Sequence, residues 1–217
     1  MASPSVAILD TGVGNLFNIT RAIEEIGGTP TVTSQPDVLA TADRVIIPGV
    51  GSFASTMATF EVTGIAAALR DYSAAGRPIL GICLGMQLLM SDGHEDGRSL
   101  GLGLIAGDAG PLPSLTVDGD PLRIPHIGWS RVFAADGVDD LEWSGSDAQV
   151  VDVYFAHSFT VTTTEPAAVA AQFRYGGHEL TAVLREGNLT GVQFHPERSG
   201  PVGLRVLSQF VTREPTS

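Results

Sequence analysis

Apolar residues follow two rhythms along this chain. In the first, a short run of consecutive apolar residues ends at a glycine-containing turn, and apolar positions then recur every three or four residues. "SVAILD" reads as a buried strand ending in the turn "TGVGN", and Leu16, Ile19, Ile23 and Ile26 keep helical spacing until Gly27-Gly28 stops them. The order repeats with "TPTVTS", a short helical stretch after Pro36, "DRVIIPGVGSF" as strand and turn, and helical segments up to Tyr72. "RPILGI" follows as strand and "LGMQLLM" as helix. Strands alternating with helices predict an α/β fold with a doubly wound, mostly parallel central sheet flanked by helices, whose sites belong at the strand C-termini. From about Gly101 the second rhythm takes over: glycine- and proline-rich turns separate the β-like runs "LRIPHIGW", "VVDVYFAHSF", "AVAAQFRY", "LTAVLRE" and "LTGVQF". These predict an antiparallel β addition, closed by a helix from Pro201 to about Thr212. No repeat, low-complexity tract or linker interrupts the pattern, so residues 1–217 read as a single domain.

Composition narrows what such a domain does. The formal charge is −12, which repels phosphate backbones and anionic lipid surfaces, so no nucleic acid and no membrane is expected as a partner. No apolar run approaches the roughly 20 residues of a membrane helix, and no basic region precedes the first apolar stretch. A cytoplasmic protein is expected. All 12 basic residues are arginine, which excludes lysine chemistry such as a Schiff base or a Walker-type phosphate loop. Asn18-Ile19-Thr20 and Asn188-Leu189-Thr190 are read as chance sequons.

The lone cysteine lies in Gly81-Ile82-Cys83-Leu84-Gly85, where the apolar run stops. Glycines two residues to either side permit the tight strand-to-helix turn that lifts a nucleophile out of a sheet, the sulfur counterpart of a G-x-S-x-G elbow. A helix N-terminus there favours an anionic sulfur. By itself the pentapeptide fits a small buried side chain equally well. Far downstream, "GVQFHPERSG" offers a base: if "TGVQFHPE" is a strand end, His195 and Glu197 point to the same face. A histidine with a carboxylate beside it is the base-and-orienter pair of nucleophilic catalysis, although alone it is more often an ordinary strand terminus. Together the two segments supply a Cys/His/Glu set.

"GICLGMQLL" and "GVQFHPERS" resemble the two signatures of the triad-type class I glutamine amidotransferases. "DTGVGN", "IIPGVGSF", "RIPHIGWS" and "YFAHSF" narrow the resemblance to the glutaminase subunits of imidazole glycerol phosphate synthase, and the blocks run in that family's order over nearly the whole chain. The resemblance implies Cys83 as nucleophile, His195 as general base and Glu197 as orienting acid. It implies hydrolysis of L-glutamine through a thioester, without a cofactor or metal, and delivery of ammonia to a separate (βα)₈-barrel cyclase subunit in histidine biosynthesis. His94, His157 and His178 remain without a role, and none has metal-ligand spacing.

By the same resemblance the oxyanion is held by the Leu84 N–H and by Val50 or Gly51 of a gate loop, Pro48 to Gly51, that reorients when the partner binds its own substrate. Glutamine is held by Gly49, Gly51, Gln87, Glu95, Ser158 and Phe159. Asn15, His126, Trp129 and Arg198 fall at the partner interface, Arg198 in place of the family's lysine. Thr11 and Ser130 also depart from the usual residues, which puts the details of partner coupling in question. Three other readings stay open on sequence alone: a paralogous barrel partner in surface-sugar biosynthesis, a free-standing γ-glutamyl hydrolase, and a non-catalytic module on the same fold.

Overall fold

The structure, a computed structural model, describes residues 3–12, 14–138 and 150–212. The first half is the expected alternation: β1 (Ser5–Leu9), α1 (Leu16–Glu25), β2 (Thr29–Thr33), α2 (Pro36–Leu39), β3 (Arg44–Ile47), α3 (Phe53–Thr63), α4 (Ile65–Ala74), β4 (Ile79–Ile82) and α5 (Leu84–Leu88). β3 and β4 are buried along their whole length, as parallel strands covered on both faces must be. In α1 the apolar spacing buries Ile19, Ala22 and Ile23, the Asn15 side chain accepts from the Asn18 N–H, and Gly27 ends the helix at φ 85°.

The second half is all strand until the last helix: β5 (Met90–Gly93), β6 (Ser99–Leu100), β7 (Ile105–Pro111), β8 (His126–Ala134), β9 (Val150–His157), β10 (Phe159–Thr163), β11 (Val169–Tyr175), β12 (His178–Glu186), β13 (Leu189–Val192) and α6 (Gly200–Thr212). The main sheet has nine strands in the order β2-β1-β3-β4-β13-β12-β11-β8-β9. From β2 to β13 neighbours are parallel, and from β13 to β9 they are antiparallel. The antiparallel part is therefore as extensive as the parallel one, not an edge addition. One apolar cluster, with Ile8, Phe155, Phe173 and Leu207, packs α1 and α6 on one face, and another, with Leu9, Phe60, Leu69 and Met86, packs α3 to α5 on the other.

Two sequence expectations are corrected. The helix read through "LGMQLLM" ends at Leu88, and Met90 starts β5 of a second, four-stranded sheet ordered β10-β7-β5-β6. The run "VVDVYFAHSF" is two strands, because the chain leaves the main sheet at Ser158 and β10 pairs with β7. Alternation continues across that break, so its period could not reveal it.

Candidate active site

Cys83 stands at the end of β4 and at the N-cap of α5, with φ 53° and ψ −108°. It is the one non-glycine residue with positive φ among the described residues, a conformation that costs on the order of 1–3 kcal/mol and persists only where surroundings impose it. They do so from both sides: the Cys83 N–H donates to the Val192 carbonyl at 2.8 Å, and its own carbonyl accepts from the Met86 and Gln87 N–H groups. The flanking glycines are required by contact. A Cβ on Gly81 would lie 2.5 Å from the Gly85 carbonyl oxygen, and one on Gly85 would overlap the Ile47 carbonyl at the end of β3. Gly85→Ala is accordingly expected to destabilise the fold by about 3 kcal/mol. For a chain of this length, that lowers the thermal midpoint by roughly 6–12 °C. An unchanged melting curve would mean that the elbow does not press on β3.

His195 follows β13, whose parallel register with β4 pairs Val192 with Ile82, so the segments carrying His195 and Cys83 leave the sheet side by side. β13 ends at Val192, and Glu197 lies in a 3₁₀ turn, Pro196–Arg198, so strand alternation is not what aligns the pair. The turn does: the Arg198 N–H donates to the His195 carbonyl, and Glu197 Oε1 comes to 2.9 Å from His195 Nδ1. Both side chains are buried, His195 8% and Glu197 3% exposed. Burial pushes the His195 pKa down, but hydrogen bonding and charge from Cys83 and Glu197 outweigh it and raise it from 6.5 to about 10. The ring is therefore an imidazolium at neutral pH.

A cavity of about 250 Å³ opens on Cys83. Gly49, Gly51, Gln87, Glu95, Ser158 and Phe159 all line it, as do Leu84 and Val50. The Pro48–Gly51 loop packs on the elbow so closely that a Cβ on Gly49 would overlap Leu84, and Gly51 takes φ 117°. Glu95 is not simply solvated: its Oε2 accepts from the Phe53 N–H at 2.6 Å, at the start of α3. Among the described residues, no group of three or more His, Cys, Asp or Glu side chains is placed to hold a metal ion.

A second, smaller cavity of about 110 Å³ lies against His195 and Glu197 and shares Gly49, Val50 and Ala156 with the first. Asn15 and Arg198 line it as well. The Arg198 guanidinium sits 4.0 Å over the Tyr154 ring, and Trp129, 58% exposed, meets the same ring edge-on. His126, expected at the partner interface, lies beneath this surface within the chain. It is 5% exposed, with its ring 4.1 Å from that of Tyr175 and its Nε2 3.1 Å from Ser130 Oγ.

The sequence matches the family described as Glutamine amidotransferase class-I over residues 7–213. The chain belongs to the class-I glutamine amidotransferases. This amidotransferase is 43% identical over 217 residues to the imidazole glycerol phosphate synthase subunit HisH of Methylococcus capsulatus, with 98% of each chain covered. It is 38% identical over 212 residues to the HisH subunit of Geobacillus thermodenitrificans, covering 95% of this chain and 94% of the relative. Among solved structures, PurLQS from Thermotoga maritima superposes with a TM-score of 0.74 at 20% identity, covering 96% of this chain and 97% of that one. A second, described as a glutamine amidotransferase, gives 0.70 at 18% identity over 95% and 98% of the two chains. These distant structures share the fold.

Two residues near Cys83 and His195 of the amidotransferase escaped the sequence reading. Ser199 Oγ donates to the His195 carbonyl at 2.7 Å and accepts from the Tyr154 N–H, which ties His195 to β9. Gln193, fully buried, touches the Cys83 sulfur. Both lie within "GVQFHPERS", but their contacts with Cys83 and Tyr154 are made across distant segments that the motif does not reveal.

Proposed function

We propose that this chain is the glutaminase subunit of an imidazole glycerol phosphate synthase. The observation that carries the reading is that Cys83 opens on a cavity lined by every residue expected to bind glutamine, while the buried His195–Glu197 pair lines the cavity adjoining it. Glutamine enters with its carboxamide over Cys83. The thiolate attacks the carboxamide carbon, and the oxyanion is received by the Leu84 N–H and by the Val50 or Gly51 N–H once the gate loop turns inward. The C–N bond breaks as the His195 imidazolium protonates the departing nitrogen, which leaves ammonia and a thioester. Water, deprotonated by His195, then cleaves the thioester to glutamate.

The second cavity supports a route for the ammonia. It shares Gly49, Val50 and Ala156 with the first and is lined by Asn15 and Arg198, so in this reading ammonia released at Cys83 crosses that shared lining toward the residues expected at the partner interface. The partner is a (βα)₈-barrel cyclase that uses the ammonia in histidine biosynthesis. Trp129 and the Arg198–Tyr154 stack form its docking edge, with His126 supporting the strand beneath.

Glutamate release measured for the chain alone, then with a cyclase subunit carrying its ribonucleotide ligand, tests this reading. Strong stimulation by the liganded partner is expected. High activity alone, indifferent to the partner, would replace it with a free-standing hydrolase and remove the gate assigned to residues 48–51.

A further inference from the structure

Gln193 is the first residue after β13, and none of it is exposed. Its backbone N–H donates to the Ala182 carbonyl at 2.9 Å, which fixes it against β12. The two ends of its side-chain amide meet two different partners. Nε2 donates to Cys83 Sγ at 3.6 Å, and Oε1 accepts from Gln87 Nε2 at 3.3 Å. Gln87 Nε2 also donates to the Phe159 carbonyl at 3.3 Å, and that oxygen takes a second bond, at 2.8 Å, from His157 Nδ1. A line of hydrogen bonds thus runs from the start of β10 through two buried amides to the sulfur.

The polarity of this line is determined. A backbone carbonyl only accepts, so Phe159 turns the nitrogen end of Gln87 toward itself. That nitrogen only donates, so the atom Gln193 presents to it must be oxygen. The N–H end of Gln193 is left facing the sulfur. His157 reinforces the arrangement: burial lowers its pKa from 6.5 to about 4, so the ring is neutral at pH 7 and donates from Nδ1.

We propose that Gln193 is a positioning residue for glutamine hydrolysis: its amide N–H holds the Cys83 sulfur and stabilises its anionic form, with the orientation imposed by the Phe159 carbonyl through Gln87. A neutral donor does this without competing with Glu197 for the His195 proton. The same line links the substrate cavity, which Phe159 and Gln87 both line, to the nucleophile. The inference rests on reading that cavity as a glutamine site.

The test is covalent labelling of Cys83 in the full chain, followed by mass, with two electrophiles: acivicin, which is shaped like glutamine, and iodoacetamide, which is not. Gln193→Met removes the donor together with the acceptor toward Gln87, which the Phe159 carbonyl still holds. Gln193→Glu keeps the acceptor toward Gln87 but brings a carboxylate to the sulfur. Both variants are expected to lower the maximal acivicin rate by roughly 10- to 100-fold, the range for a buried bond to a charged group, Gln193→Glu more than Gln193→Met. The half-saturating concentration should stay within about twofold, and iodoacetamide alkylation should fall in parallel. A merely structural residue would not leave half-saturation unmoved while the maximal rate dropped. Should Gln193→Met fail to fold, the near-isosteric Gln193→Glu carries the comparison. Maximal rates within about twofold of the parent, or a change confined to half-saturation, would overturn the proposal. If the parent chain is alkylated by iodoacetamide but not by acivicin, the glutamine site is what fails, and the iodoacetamide comparison still decides the role of Gln193.

Discussion

Replacing Cys83 with alanine is expected to lower glutamate release, measured with the partner subunit present, by at least about 10⁴-fold in kcat. The substitution removes the one atom that can form the thioester and leaves the cavity otherwise intact, because Gln87, Glu95, Ser158 and Phe159 are held by contacts that do not pass through the sulfur alone. Glutamine should therefore still bind, with a dissociation constant within a few-fold of the parent's by calorimetry. Alanine also inherits the φ of 53°, so the thermal midpoint should change little. The substitution has two local effects: the buried Gln193 N–H loses the sulfur it donates to, and, with a principal cause of the raised His195 pKa gone, the imidazolium loses its proton at lower pH. Hydrolysis that persists within tenfold of the parent's would place the nucleophile elsewhere.

Glu197→Gln is the second large effect, a loss of about 10³- to 10⁴-fold in kcat with KM nearly unchanged. The carboxylate accepts from His195 Nδ1 at 2.9 Å in a site almost closed to water. A glutamine side chain that turned its N–H toward Nδ1 would force the ring to carry its proton on Nε2, the nitrogen that must take and return protons. Turned the other way, it would keep the tautomer but forfeit the charge that stabilises the imidazolium. In either orientation the His195 pKa falls, since Glu197 supports it through both a hydrogen bond and charge. The activity that remains should consequently lose its alkaline plateau at lower pH. A full-rate variant with the parent pH profile would mean that the turn geometry alone, and not the carboxylate, orients His195.

Cys83 and the His195–Glu197 pair could be singled out because each sits in a short segment whose chemistry is local. Glycines at 81 and 85 are dictated by contacts with the adjoining turn and strand, so the elbow is written in five residues. His195 and Glu197 are two apart, and their meeting depends on one turn, even though that turn is 3₁₀ and not the strand end that alternation implied. The residues expected to bind glutamine came from family resemblance, and all of them line one cavity. What stayed hidden depended on distant partners. The break at Ser158 is invisible to a period of two, and it decides which sheet Phe159 joins. Glu95 reads as a solvated acid until α3 is seen to start against it. His126 lies in a half-exposed strand pattern, and only the rings of Phe155, Phe173 and Tyr175 packed around it account for its burial.

The register between β4 and β13 has a consequence for the birth of the enzyme. These neighbours are joined by a ladder from Leu189–Ile79 to Val192–Ile82, yet more than a hundred residues separate them along the chain. Everything from β5 to β12 is synthesised between the two, and domains fold while the ribosome is still adding residues. A nascent chain can form the β1-β3-β4 nucleus and carry the thiol at its edge, but the slot beside β4 stays vacant until β13 arrives to fill it. His195 follows that strand, so Cys83 and His195 are brought side by side only at the last stage of synthesis, when the sheet closes.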